Sequence, residues 1–141
     1  MNQLEKNVAD RSLCEKLDPK EWGDTAFVWI DLDENLKIFA HRPEKPKVLL
    51  RSEWDKISSE ANGIMSYPAP IFAEVWAKLS SFVYSCEDKN LKYWLRSYKN
   101  GEITGCEYVT DKGVLLDVQH DEKPVNAALK LYDWCKQERY I

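Results

Sequence analysis

Hydrophobic and polar positions alternate most legibly between Leu91 and Gln119, LKYWLRSYKNGEITGCEYVTDKGVLLDVQ, where three strand-like runs are joined by two turns. Asn100-Gly101 tolerates positive φ at both central positions, as a type I′ hairpin requires. A two-residue loop there sets Lys99 opposite Glu102, Ser97 opposite Thr104, Leu95 opposite Cys106 and Tyr93 opposite Tyr108. At Asp111-Lys112-Gly113 a three-residue loop with Gly113 left-handed sets Tyr108 against Leu116 and Cys106 against Val118, whereas a two-residue loop sets Tyr108 against Asp117. The three-residue register is the expectation, because it pairs apolar with apolar.

One face of this meander then carries Leu91, Tyr93, Leu95, Cys106, Tyr108, Val114, Leu116 and Val118, and reads as core. The other carries Lys92, Trp94, Arg96, Tyr98, Ile103, Gly105, Glu107, Val109, Leu115 and Asp117, neither a clean solvent pattern nor a clean core.

Elsewhere the pattern is shorter-ranged. Residues 1–20 are weakly helical, with Leu4, Val8, Leu13 and Leu17 loosely spaced up to Asp18-Pro19. Thr25 to Leu32 and Leu36 to His41 read as a hairpin around Asp33-Glu34-Asn35, pairing Ile30 with Ile38, Trp29 with Phe39 and Val28 with Ala40. Lys47 to Leu50 returns as a third strand. Ser52 with Asp55 approximates a capping box for a helix whose inner stripe is Trp54, Ile57 and Ala61, ended by Asn62-Gly63. Ile64 to Ala69 reads as a loop. From Ile71 to Cys86 the positions Phe72, Val75, Trp76, Leu79, Phe82, Val83 and Cys86 keep helical spacing, which predicts one long helix. A last helix from Pro124 shows two apolar sides, Val125, Ala128, Leu129, Tyr132 and Cys135 on one and Ala127, Leu131 and Trp134 on the other, which suggests two packing partners and allows a homodimer through it.

These elements predict an α+β fold, residues 1–141 forming a single domain of antiparallel β-meanders packed against helices. The halves share an order of strands followed by a helix, and PKVLLRS resembles DKGVLLDV, so a βββα internal duplication is compatible with the pattern.

Charge narrows the function classes. The net charge is −4 with acids and bases interleaved, so no basic field exists to attract a phosphate backbone, and nucleic acid is not an expected partner. No apolar run is long enough for a membrane span and the first residues lack a signal-peptide core, so a cytoplasmic protein is expected. Cys14, Cys86, Cys106 and Cys135 form no C-x-x-C pair and are expected as free thiols.

Catalytic and metal chemistry find little footing. Asp31-Leu32-Asp33-Glu34-Asn35 begins like a calcium loop, but Leu36 stands where its glycine belongs and Arg42 where its bidentate Glu belongs. His41 and His120 are in no spaced ligand motif, so neither metal nor cofactor is expected. No phosphate-binding glycine loop or nucleophile elbow occurs.

The remaining candidate is the second face of the meander, where Trp94 opposite Glu107, Tyr98 opposite Ile103 and Arg96 opposite Gly105 leave a gap beside two aromatics. Trp, Tyr and Arg dominate protein interfaces. Trp94, Arg96, Tyr98 and Glu107 are therefore the candidate partner-binding residues, unless a helix of the same chain covers them. The expected function is that of a non-enzymatic accessory protein, bacterial or phage, binding another protein as an inhibitor, immunity or chaperone-like factor. The competing class is a small enzyme with a Cys, His and carboxylate site assembled in space around His120 and Asp121, drawing its thiol from Cys106 or Cys86.

Overall fold

The computed structural model describes residues 3–32, 46–58 and 64–141. They form an α+β fold with two antiparallel sheets, of three and four strands. The chain divides into two compact units, Met1–Ile71 and Phe72–Ile141, each holding one sheet.

In the first unit β1 (Phe27–Leu32) is the central strand, flanked by β2 (Lys47–Leu50) and β3 (Ile64–Pro68). Trp29 lies opposite Val48 on one side and Tyr67 on the other. The second strand of the expected hairpin, Leu36 to His41, falls outside the described residues. At Val28, Trp29 and Ile30 both edges of β1 are occupied, by β2 and β3. The expected loop from Ile64 is instead β3, which fills the second edge of β1 and stops at Pro68, a residue without a donor for the ladder.

The N-terminal segment forms two short helices, α1 (Gln3–Asn7) and α2 (Arg11–Cys14). Tertiary bonds interrupt them: Val8 bridges to Ile71, the Ala9 N–H donates to the Pro70 carbonyl at 3.0 Å, and the Ala9 carbonyl accepts from Trp29 Nε1 at 2.8 Å. Arg11 pairs with Asp31, one carboxylate of the rejected calcium loop. Helix α3 (Arg51–Ile57) buries Trp54 but leaves Ile57 exposed. Its N-cap is Leu50, without a side-chain cap, so Ser52 does not form the expected capping box. Arg51 turns back instead, donating from Nε to the Thr25 carbonyl and from Nη2 to Thr25 Oγ1, both at 2.6 Å. The Ala61 and Asn62-Gly63 expectations lie outside the described residues.

The second unit runs α4 (Phe72–Lys78), β4 (Phe82–Tyr84), β5 (Lys92–Asn100), β6 (Ile103–Val109), β7 (Leu115–Asp121) and α5 (Pro124–Gln137), with sheet order β4-β5-β6-β7. The long helix expected to Cys86 therefore ends at Lys78. Ser80 and Ser81 are weak helix formers whose carbonyls go to the sheet, accepting from Tyr108 Oη at 2.7 Å and the Leu95 N–H at 2.9 Å. The β-favouring Phe82-Val83-Tyr84 follows as an edge strand, with Val83 buried opposite Tyr93. Helix α5 packs on β6, β7 and α4; its first apolar side is buried, and of its second Ala127 and Leu131 are buried and Trp134 half-buried. The surface from which a homodimer contact was read is thus largely in use. The described strands and helices do not repeat one order in the two units: α3 separates β2 from β3 in the first, whereas the second is an uninterrupted meander.

Register in the second sheet departs from expectation twice, with different consequences. Asn100 pairs with Ile103, so the tight loop is Gly101-Glu102, and only Gly101 takes positive φ, 65°, as in a type II′ turn. Leu95 consequently faces Tyr108 rather than Cys106, a displacement of two residues that leaves every side chain on its expected face. The next turn closes as expected around Asp111 to Gly113, with Gly113 at φ 85° and the Thr110 N–H donating to the Val114 carbonyl at 2.9 Å. A β-bulge follows: Val109 pairs with Leu115 but Tyr108 pairs with Asp117, leaving Leu116 as the extra residue. That single residue inverts β7 beyond it. Val118 now shares the outer face with Glu107, while Asp117, Gln119 and Asp121 turn to the inner face.

There Asp117 accepts from Gln119 Nε2 at 2.9 Å, and Asp121 accepts from Lys130 Nζ at 2.8 Å and the Lys123 N–H at 2.9 Å, joining β7 to the start of α5. Burial raises the Asp117 carboxyl above its ordinary range despite hydrogen bonds that oppose the shift. At Asp121 burial also pushes upward, but the bonds from Lys130, Lys123 and Asn126 outweigh it and hold the carboxyl below its ordinary range.

A raised folded-state pKa means that Asp117 contributes less stability as pH rises through that value. Asp117→Asn, which keeps an acceptor for Gln119, is expected to raise the urea midpoint at pH 7, with the advantage vanishing as pH falls below the carboxylate range. Equal midpoints across that range would contradict the assignment.

Candidate functional site

The outer face of the second sheet is built on β6. Every residue from Thr104 to Val109 is buried, including the outward-facing Gly105, Glu107 and Val109. Helix α5 lies on the opposite face, where Lys130 meets Asp121, so the side chains that overlie β6 on the outer face come from neighbouring strands.

Tyr98 pairs with Gly105, and a Cβ on that glycine would collide with the tyrosine ring. The ring therefore lies across the glycine, and its hydroxyl meets His120 Nε2 at 2.8 Å. This fills the gap expected between the aromatics, because Gly105 faces Tyr98 rather than Arg96. Arg96 instead faces Glu107, donating from Nη2 at 3.0 Å and Nε at 3.3 Å to Oε1. The pair is asymmetric: 60% of the Arg96 side chain is exposed but only 5% of Glu107. Trp94 faces Val109, not Glu107. All four predicted residues lie on one face, with Glu107 buried beneath Arg96, and with Trp94, Arg96 and Tyr98 exposed.

Sequence reasoning missed the edge. Phe82 and Tyr84, assigned to a helix, flank Trp94 on this face, with ring centroids 5.6 Å apart for Phe82–Trp94 and for Phe82–Tyr84. Lys92 Nζ lies 3.8 Å from the Phe82 centroid and 4.1 Å from that of Trp94, a cation–π arrangement. The β-favouring triplet Phe82-Val83-Tyr84 between serines was the available signal. Phe82, Tyr84, Trp94 and Tyr98 are 39%, 50%, 46% and 37% exposed. Large apolar groups gathered this way on a sheet, with a charged rim, mark interaction surfaces.

Of the two candidate thiols of the alternative enzyme site, Cys86 is exposed and Cys106 is buried in the second sheet. Cys106 points to the inner face and His120 to the outer, on residues that do not pair with each other. Burial raises the Cys106 thiol to about 11 and the Cys135 thiol to about 12, against the formation of a nucleophilic thiolate. An open cavity of about 380 Å³ beside Ile103, His120, Asp121 and Glu122 contains no thiol, and the Asp121 carboxylate there is engaged by Lys130 and Asn126. Among the described residues no group of three or more His, Cys, Asp and Glu side chains could hold a metal ion.

Two outcomes follow from this geometry. Arg96→Ala leaves the buried Glu107 carboxylate without its cation and is expected to cost about 1–3 kcal/mol in urea unfolding, much of it recovered by adding Glu107→Gln. Failure of the second substitution to restore stability would show that Arg96 acts through packing instead. Of the four cysteines, none in a disulfide, only Cys86 is exposed. Alkylation of the native protein at pH 8 is therefore expected to modify Cys86 alone, read by mass spectrometry; labelling of Cys106 at a similar rate would contradict its burial. In comparisons with known proteins, no family model, curated protein or solved structure matches this chain.

Proposed function

We propose that this protein is a non-enzymatic binding protein, with an accessory role of the inhibitor, immunity or chaperone-like kind, that docks on another polypeptide through the outer face of β4–β7. The observation that carries the reading is the exposed group of Phe82, Tyr84 and Trp94 beside Arg96, whose guanidinium is anchored on a buried carboxylate. Trp94 and Arg96 make the contact with Tyr98 beside them, while Glu107 anchors Arg96 from beneath. A rigid aromatic with few rotatable bonds, flanked by an oriented arginine, loses little conformational entropy on binding.

A cytoplasmic setting suits four cysteines of which none is in a disulfide. Among the described residues no helix is long and apolar enough to cross a membrane.

The test uses the full chain as bait in a lysate of its source organism. Trp94→Ala should reduce recovery of a stoichiometric partner at least tenfold, in keeping with the ~2 kcal/mol or more lost on truncating a central aromatic contact. Far-UV circular dichroism and the urea midpoint should stay within the range of a surface substitution. Undiminished recovery with Trp94→Ala would remove this face from the interaction.

A further inference from the structure

We infer that the segment recognised by this face is acidic and apolar together: two carboxylates flanking an apolar side chain in an extended stretch of the partner protein. The inference rests on the protein-binding reading and adds the chemistry of the partner.

Lys92, Trp94 and Arg96 follow one another on the same side of β5, because side chains alternate along a strand. The Cα atoms of Lys92 and Arg96 are therefore about 13 Å apart, four residues at ~3.3 Å each, with Trp94 between them. Both cations are held in place from below. The ammonium of Lys92 is drawn over the Phe82 and Trp94 rings, and among the described residues no carboxylate forms an ion pair with it. Arg96 spends Nε and Nη2 on one oxygen of Glu107, and among the described residues Nη1 has no acceptor. Both cations are thus oriented yet incompletely used, the state that a partner's carboxylates complete.

Charge complementarity selects the occupant. With Lys92 and Arg96 set against Glu107, this face is locally positive on a chain whose net charge is −4. An extended segment repeats its side chains on one face with the spacing of β5, so acids at positions i and i+4 reach both cations while the residue at i+2 meets Trp94. A single-stranded nucleic acid would also stack on exposed rings, but its successive phosphates require a track of cations, and the two here lie on one strand in an acidic protein.

The experiment is selection from a random twelve-residue peptide display library on the immobilised full chain, run in parallel on Trp94→Ala and Lys92→Glu. Neither substitution removes the cation from Glu107, and circular dichroism confirms the fold of each. Peptides enriched on the natural chain and lost on Trp94→Ala should carry at least about a threefold excess of Asp and Glu over Lys and Arg, with acids flanking an apolar residue. Lys92→Glu should weaken the best of them about tenfold, by placing like charges together. Enrichment that depends on Trp94 but has no acidic bias overturns this inference and leaves the protein-binding reading standing. No Trp94-dependent enrichment of any composition overturns both. A fluorescent oligothymidylate binding the natural chain more tightly than the best acidic peptide, and lost with Trp94→Ala, overturns the inference in favour of a nucleic acid.

Discussion

One extra residue in β7 determines what the second sheet offers to solvent and to its helix. Without the bulge at Leu116, Val118 would lie inward beside Cys106 and Asp117 would lie outward; with it, the strand is reversed from Asp117 onward. The inner face then receives Asp117, Gln119 and Asp121, and the last of these binds Lys130 and the Lys123 N–H at the start of α5. The outer face receives His120, which meets the Tyr98 hydroxyl. The attachment of the C-terminal helix and the contact of His120 with Tyr98 both depend on this displacement.

The outer face is an example of a sheet surface covered by its own side chains. Buried Glu107 would be costly under apolar neighbours, yet Arg96 from the next strand supplies charge and hydrogen bonds while remaining 60% exposed. Tyr98 fills the space that Gly105 lacks a side chain to occupy. These two cross-strand pairs bury the middle of β6 without a helix, and the aromatics along β4 and β5 are left uncovered. Exposure of Phe82, Tyr84 and Trp94 is then a consequence of where the covering groups end.

Legibility differed from element to element for identifiable reasons. The meander was readable because turn residues and alternation agree over a long stretch, and the first register error cost nothing since a displacement of two preserves faces. The helix over Ile71 to Cys86 was misread because apolar spacing of three and four runs on through Phe82 and Val83, although the chain becomes a strand there. Periodicity registers which positions are apolar; it does not register that the carbonyls of Ser80 and Ser81 are claimed by Tyr108 and Leu95. The third strand of the first sheet was missed likewise, since Ile64 to Pro68 pairs with β1 from more than thirty residues away.

By itself the sequence determined the α+β class, the Gly113 turn, the strand at Lys47–Leu50, the final helix and the identity of four residues on one sheet face. These follow from local conformational preference and from strand alternation, which act over a few residues. Only the tertiary structure decided which residues of that face are outermost. It placed Glu107 under Arg96, laid Tyr98 over Gly105 and brought Phe82 and Tyr84 beside Trp94. Those outcomes turn on pairing between distant strands and on a one-residue bulge, and a bulge is chosen by what both faces of the finished sheet can bury and hydrogen-bond together.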